Sequence, residues 1–121
     1  MSVVLVADDD EDVLLLVSAV LEREGHEVIA TRDGAEAVAA AQQRRPDLAV
    51  LDVAMPELDG LEVLRRLRAD ATTTDVPVVL LSARVQEDDV KRGYAGGANA
   101  YVQKPFSPRE LTERVSELLG R

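Results

Sequence analysis

The chain has 121 residues, 46% of them hydrophobic, enough for one core and too few for two, so a single domain over 1–121 is expected. Its formal charge of −9, from 23 carboxylates against 14 Lys and Arg, would repel a nucleic-acid backbone, so direct nucleic-acid binding by this domain is not expected. Cysteine is absent, which excludes disulfides and thiolate metal sites, and no apolar run approaches the roughly 20 residues of a membrane span; the reading is a soluble cytoplasmic protein.

Three short apolar runs read as strands buried on both faces, and each breaks into polar residues at its end: Val3 to Ala7 before Asp8-Asp9-Asp10, Leu48 to Leu51 before Asp52, and Val78 to Leu81 before Ser82. Weaker strand signals lie at Glu27 to Ala30 and Ala100 to Val102. Between them, Glu11 to Glu24 carries Val13, Leu16, Val17 and Val20 at helical spacing and stops at Gly25. Asp33-Gly-Ala-Glu36 and Ser107-Pro-Arg-Glu110 resemble capping boxes opening helices that end near Arg44 and Leu119, and Gly60 to Ala69 and Glu87 to Ala95 complete the set.

Five β-α units in strict alternation predict an α/β doubly wound parallel sheet with helices on both faces. A common order for such a sheet is 2-1-3-4-5, with ligands bound beyond the carboxyl ends of the strands at the switch point. Asp8, Asp9, Asp52, Ser82 and Lys104 all fall at that edge. Carboxylates so close repel one another, and a divalent cation relieves the repulsion. With hard oxygens, no Cys, and the lone His26 at the opposite end of the sheet, Mg²⁺ suits better than Zn²⁺, with Mn²⁺ as a substitute. A carboxylate held beside Mg²⁺ can attack phosphorus while Lys104 neutralises phosphoryl oxygens and Ser82 donates to one. Only two lysines stand against twelve arginines, and a compact ammonium suits a single-point phosphate contact.

Val6-Ala7-Asp8-Asp9-Asp10, Leu51-Asp52-Val53-Ala54-Met55-Pro56-Glu57-Leu58-Asp59-Gly60, Leu81-Ser82-Ala83 and Tyr101-Val102-Gln103-Lys104-Pro105-Phe106 together resemble the response-regulator receiver domain, the CheY-like family with its flavodoxin-like (βα)5 sandwich. The resemblance covers essentially the whole chain. It implies a phosphoacceptor switch of a two-component or phosphorelay system rather than an enzyme, with only Mg²⁺-dependent self-phosphorylation from a phosphodonor and slow self-dephosphorylation. Asp8 and Asp9 match the metal-holding acidic pair, Asp52 the phosphorylated aspartate and metal ligand, and the Ala54 backbone carbonyl a further ligand. Ser82 and Ala83 match the switch hydroxyl and its neighbour, Tyr101 the switch aromatic, and Lys104 the phosphate-binding lysine. The Lys104–Pro105 bond is typically cis in the family, and Gly60 is structural. Implied partners are a histidine kinase or histidine phosphotransfer protein and a downstream target or output domain, read through the face of helix four, strand five and helix five, in a monomer or a phosphorylation-dependent dimer.

Asp10, Glu11 and Asp12 read better as an acidic helix start than as ligands. Leu14 and Leu15 lie beside the inward stripe of the first helix: either they widen its core face or, since the resemblance implies that a histidine kinase or phosphotransfer protein engages this helix, they form a docking patch for a helical partner. Asn99-Ala100 stands where the DNA-binding subfamily that dimerises through this face usually has two acidic residues, which weakens that dimer. The resemblance implies that Ala54 and Arg84 occupy positions whose side chains tune phosphoryl lifetime in the family, and Ala54 has no polar group to orient an attacking water. Competing readings are a haloacid-dehalogenase-like phosphatase with Asp8 as nucleophile, a receiver-shaped scaffold that is never phosphorylated, and a flavin-binding protein.

Overall fold

The computed structural model describes residues 2–83 and 87–120, and the side chains of all of these except 87–89. The five apolar segments form β1 (Val3–Ala7), β2 (Glu27–Thr31), β3 (Leu48–Asp52), β4 (Val78–Ser82) and β5 (Ala100–Gln103). They alternate with α1 (Glu11–Arg23), α2 (Gly34–Gln43), α3 (Gly60–Ala69), α4 (Glu87–Ala95) and α5 (Pro108–Leu119). The sheet is parallel throughout in the order β2-β1-β3-β4-β5, as the alternation predicts.

Because successive strand side chains point to opposite faces, the continuous apolar runs feed two cores. Val4, Val6, Leu48, Val50, Val79 and Leu81 pack with Leu14, Val17 and Leu21 of α1 and Leu111 and Val115 of α5. Their neighbours Leu5, Ala7, Ala49, Leu51, Val78 and Leu80 pack with Ala37 and Ala41 of α2 and Val63, Leu64 and Leu67 of α3. The same alternation, followed to the strand ends and one residue beyond, sends Asp8, Asp52 and Lys104 toward the α1/α5 side and Ser82 toward the other.

Helix ends follow the local signals. Asp33 and Ser107 cap α2 and α5 by accepting from the Glu36 and Glu110 amides, at 2.8 Å and 3.1 Å. Asp10 caps α1, accepting from the amides of Asp12 (3.0 Å) and Val13 (3.3 Å), so this acidic stretch is a helix start. Gly25, at φ +90°, ends α1 in the left-handed region where a Cβ is strained.

The first helix corrects two expectations. Leu14 is 2% exposed and belongs to the core, whereas Leu16, expected inside, is 45% exposed and Leu15 is 61% exposed. Both stripes satisfy helical spacing, but α1 is rolled so that Leu14, Val17 and Leu21 face the sheet in the cluster shared with Leu111 and Val115 of α5. Any exposed apolar patch on α1 is therefore Leu15 with Leu16, not Leu14 with Leu15. His26, just before β2, is buried. Among the described residues, no helix is long and apolar enough to cross a membrane.

Candidate functional site

The register brings the site together. Ala7 pairs with Leu51, so Asp8 and Asp52 leave adjacent strands side by side at the switch point; Asp52 pairs with Leu81, and Ser82 with Gln103, one residue before Lys104. Carboxylate oxygens of Asp8, Asp9 and Asp52 all lie within 4.8 Å of one another. Asp8 and Asp52 are buried, at 0% and 4% exposure, and Asp9 is exposed. The Lys104 ammonium sits between the two buried carboxylates, 3.0 Å from Asp8 Oδ2 and 3.2 Å from Asp52 Oδ1.

The backbone fixes these side chains. The Asp10 amide donates to Asp8 Oδ1 at 2.9 Å, and the Ala54 amide to Asp52 Oδ1 at 3.3 Å. The Lys104 amide donates to the Ser82 carbonyl at 2.8 Å, which ties the chain after β5 to the end of β4. The Lys104–Pro105 peptide is cis, as the resemblance implies. At Gly60, α3 starts directly against the end of β3: its amide donates to the Val53 carbonyl at 3.0 Å, and a Cβ there would lie 2.4 Å from the Asp52 carbonyl oxygen.

Burial pushes the Asp52 carboxyl above its ordinary range, and the Asp8 charge pushes it further, against the opposing pull of Lys104 and the Ala54 amide. For Lys104, burial is the largest single influence and lowers its affinity for the proton. The hydrogen bond to Asp8 and the charges of Asp52 and Asp8 together outweigh burial and hold the ammonium above its ordinary value. A carboxyl raised in the folded state contributes stability that is fully present below its unfolded pKa and lost as pH rises through its folded pKa. In metal-free buffer at neutral pH, Asp52→Asn should therefore raise the melting temperature. The gap should narrow toward acid pH in calorimetric scans; an Asn variant melting below wild type at neutral pH would contradict this assignment of the strain.

Beside the carboxylates opens a cleft of about 620 Å³, whose walls include Asp9, Ala54, Asp59, Ser82, Arg92 and Tyr101. Ser82 is buried at 4%, and Tyr101 is half-buried, its ring close enough to α4 that a Cβ on Gly93 would come within 3.3 Å of it. Ala83 also lines the cleft. Arg84 lies outside the described residues. Pro105 is exposed and Leu15 lies on α1 away from the core. The sequence reading assigned no role to two wall residues, Asp59, which it quoted only within a motif, and Arg92, which it did not name. Asp59 caps α3 by accepting from the Glu62 amide at 2.9 Å, a role its D-x-x-E spacing does spell; Arg92 reaches the cleft from α4, and only the tertiary fold reveals it.

The donor set fits a hard divalent cation: three carboxylates converge, two of them buried, with one ammonium to offset them. The sequence from residue 4 to 116 matches the model of the response regulator receiver domain. The chain is 44% identical over 118 residues to the alkaline phosphatase synthesis transcriptional regulatory protein PhoP of Bacillus subtilis, covering 98% of this chain and 48% of that protein. It is 49% identical to the transcriptional regulatory protein PrrA of Mycobacterium tuberculosis, covering 98% and 50%. The chain thus spans about half the length of the curated relatives it matches. Among solved structures, the chemotaxis protein CheY4 of Vibrio cholerae superposes with a TM-score of 0.93 at 32% identity, with 98% of each chain covered. The receiver domain of a sensor histidine kinase from Pseudomonas aeruginosa PAO1, with a magnesium ion coordinated in its active-site cleft, superposes with a TM-score of 0.91 at 29% identity, covering 99% of this chain and 98% of that one. With the strand order, the carboxyl-edge cluster and the family match in agreement, the chain belongs to the response regulator receiver domain family of two-component signalling.

Proposed function

We propose that Asp52 is the phosphoacceptor of this receiver domain. The observation that carries the reading is the buried Asp52 carboxylate, with the Lys104 ammonium 3.2 Å away and Asp8 and Asp9 carboxylates within 4.8 Å. Asp8, Asp9, Asp52 and the Ala54 carbonyl would hold Mg²⁺, or Mn²⁺ in its place. When bound, the cation supplies charge compensation among the carboxylates and the incoming phosphoryl oxygens. In the transfer, an Asp52 carboxylate oxygen forms the new O–P bond as the donor's N–P bond breaks, and the donor histidine nitrogen takes up a proton. Lys104 stabilises negative charge on the phosphoryl oxygens, and Ser82 and Ala83 line the cleft beside the carboxylates, from which the Ser82 hydroxyl is proposed to donate to one of those oxygens.

The new group adds roughly −1.5 to −2 charges at the edge. Ser82 turns toward it, Tyr101 swings into the space that Ser82 vacates, and the surface of α4, β5 and α5 changes. Coupling of about 1–3 kcal/mol is typical for such a bias. The output is a changed binding surface, in a monomer or a phosphorylation-dependent dimer; the −9 charge argues against this domain touching nucleic acid itself. The apolar Leu15–Leu16 patch is proposed to meet the helices of a histidine kinase or phosphotransfer protein, and the protein is proposed to work in the cytoplasm.

Two measurements test this. Incubation with a small phosphodonor and Mg²⁺ should add the mass of one phosphoryl group, a chelator should abolish the gain, and the gain should decay slowly once donor is removed, because Ala54 offers no group to orient water. Uptake unaffected by chelation would remove the metal from the account. Leu15→Glu should slow transfer from a cognate phosphorylated kinase while leaving uptake from the small donor intact; equal kinase rates would refute the docking patch.

A further inference from the structure

At the edge opposite the acceptor site, one guanidinium joins three segments distant in the chain. Arg68, in the last turn of α3, donates from Nη1 to the carbonyls of Thr74 (3.0 Å) and Val76 (2.7 Å). From Nε and Nη2 it donates to the Gly97 carbonyl at 3.2 Å and 2.8 Å, and from Nη2 to Asn99 Oδ1 at 3.1 Å. Asn99 Oδ1 also accepts from the Val78 amide at 2.9 Å, so the same atom is tied to the start of β4. Gly97 makes room for this: its φ is +101°, and a Cβ there would come within 2.9 Å of Arg68 Nε. The planar five-donor fork of Arg can address several carbonyls at once, which a Lys ammonium at the same place cannot match.

We propose that Arg68 is a latch that clamps the C-terminal end of α4 to the α3–β4 connection. Gly97 to Asn99 then form the fixed pivot about which the α4 face is remodelled when the acceptor edge is phosphorylated. The pivot rests on the phosphoacceptor reading above; the latch itself stands on the resting structure. The clamp sits at one end of α4 only, its C-terminal end. The N-terminal side of α4 follows the cleft residues Ser82 and Ala83, where the phosphoryl group arrives, while its C-terminal side ends in the clamp. A helix fixed at one end and pulled at the other swings rather than slides. Arg68 is therefore a positioning residue, acting on the output face without touching the reacting atoms.

The amides of Gly96, Gly97, Ala98 and Asn99 are all hydrogen-bonded, to the carbonyls of Arg92, Tyr94, Gly93 and Val78, so hydrogen exchange reports opening there directly. In the resting full chain, Arg68→Lys should speed exchange at 97–99 by about tenfold or more, with β1 and β3 amides changing far less. On phosphorylation with a small donor and Mg²⁺, wild type should change exchange in the first turns of α4 and keep 97–99 protected; in Arg68→Lys the change should run through 97–99. Arg68→Met should do the same more strongly, and the Lys variant decides the matter if the Met variant fails to fold. Unchanged protection at 97–99 in the resting Lys variant, or a loss spread equally over β1 and β3, would overturn the latch. Wild-type opening of 97–99 on phosphorylation would overturn the pivot. A wild-type chain that takes up no phosphoryl group would overturn the phosphoacceptor reading and the pivot with it, while the resting comparison still decides the latch.

Discussion

Lys104→Met is expected to slow phosphoryl uptake from a small donor by about 10²–10³-fold, the usual loss when one fixed charge-stabilising group is removed, and at the same time to tighten Mg²⁺ binding. The opposite signs follow from one position. The ammonium lies 3.0 Å from Asp8 and 3.2 Å from Asp52, so it competes with a cation for the carboxylates that would hold the metal. In the proposed transfer the same ammonium would be a fixed positive charge beside the phosphoryl oxygens. Without metal, the variant should also be less stable. Removing one partner of a buried ion pair costs about 3–5 kcal/mol, and partial exposure of Lys104 at the cleft should bring that to about 1–3 kcal/mol. Mg²⁺ at a hundred times its dissociation constant would return about 2.7 kcal/mol. Calorimetric Mg²⁺ titration, timed intact-mass measurement and urea unfolding followed by circular dichroism read the three effects separately. Weaker Mg²⁺ binding in the variant would show that Lys104 organises the carboxylates rather than competing for them.

Gly60→Ala should impair both folding and phosphoryl uptake. Two effects oppose each other at this position. Ala is favoured over Gly in a helix by about 1 kcal/mol, and Gly60 is the first residue of α3. Against that, the new Cβ would lie 2.4 Å from the carbonyl oxygen of Asp52 and 2.9 Å from its carbonyl carbon, and both belong to backbone. Overpacking of this kind costs about 1–3 kcal/mol or more, and relief requires α3 or the end of β3 to move. The steric effect wins because the atoms that must move are backbone of Asp52, the proposed acceptor, and not the end of a flexible side chain. Gly25→Ala is the matched control: its φ of +90° makes Ala strained, but nothing lies within 4 Å of the added Cβ and the site is remote. It should lose about 1–2 kcal/mol from backbone strain alone and keep full phosphoryl uptake. Equal uptake by the Gly60 and Gly25 variants would mean that the contact does not position Asp52.

The order of elements and the ends of the helices were legible in the sequence because their causes are local. Asp33, Ser107 and Gly25 act on amides and dihedral angles within a few residues, and each sits in the structure as its type predicts. The acidic cluster was legible through topology, since parallel alternation sends every strand end to one edge. The roll of α1 was not, because Val13-Leu16-Val17-Val20 and Leu14-Val17-Leu21 are both proper helical stripes; only the shared cluster with Leu111 and Val115 selects the second. The left-handed φ of +63° at Glu57 has no local cue either, since a non-glycine residue stands where glycine would have announced the turn. Nothing local in the sequence announces the role of Arg68, because it depends on carbonyls 6 to 29 residues away.

Comparison of phosphoryl uptake by wild type, Asp52→Asn and Asp8→Asn, with a small phosphodonor and Mg²⁺ and read by intact mass and peptide mapping, tests the central claim most directly. Wild type should gain one phosphoryl group mapping to Asp52, Asp52→Asn should gain none, and Asp8→Asn should gain it slowly and still at Asp52. A gain that persists in Asp52→Asn, or a wild-type label on Asp8, would contradict the assignment.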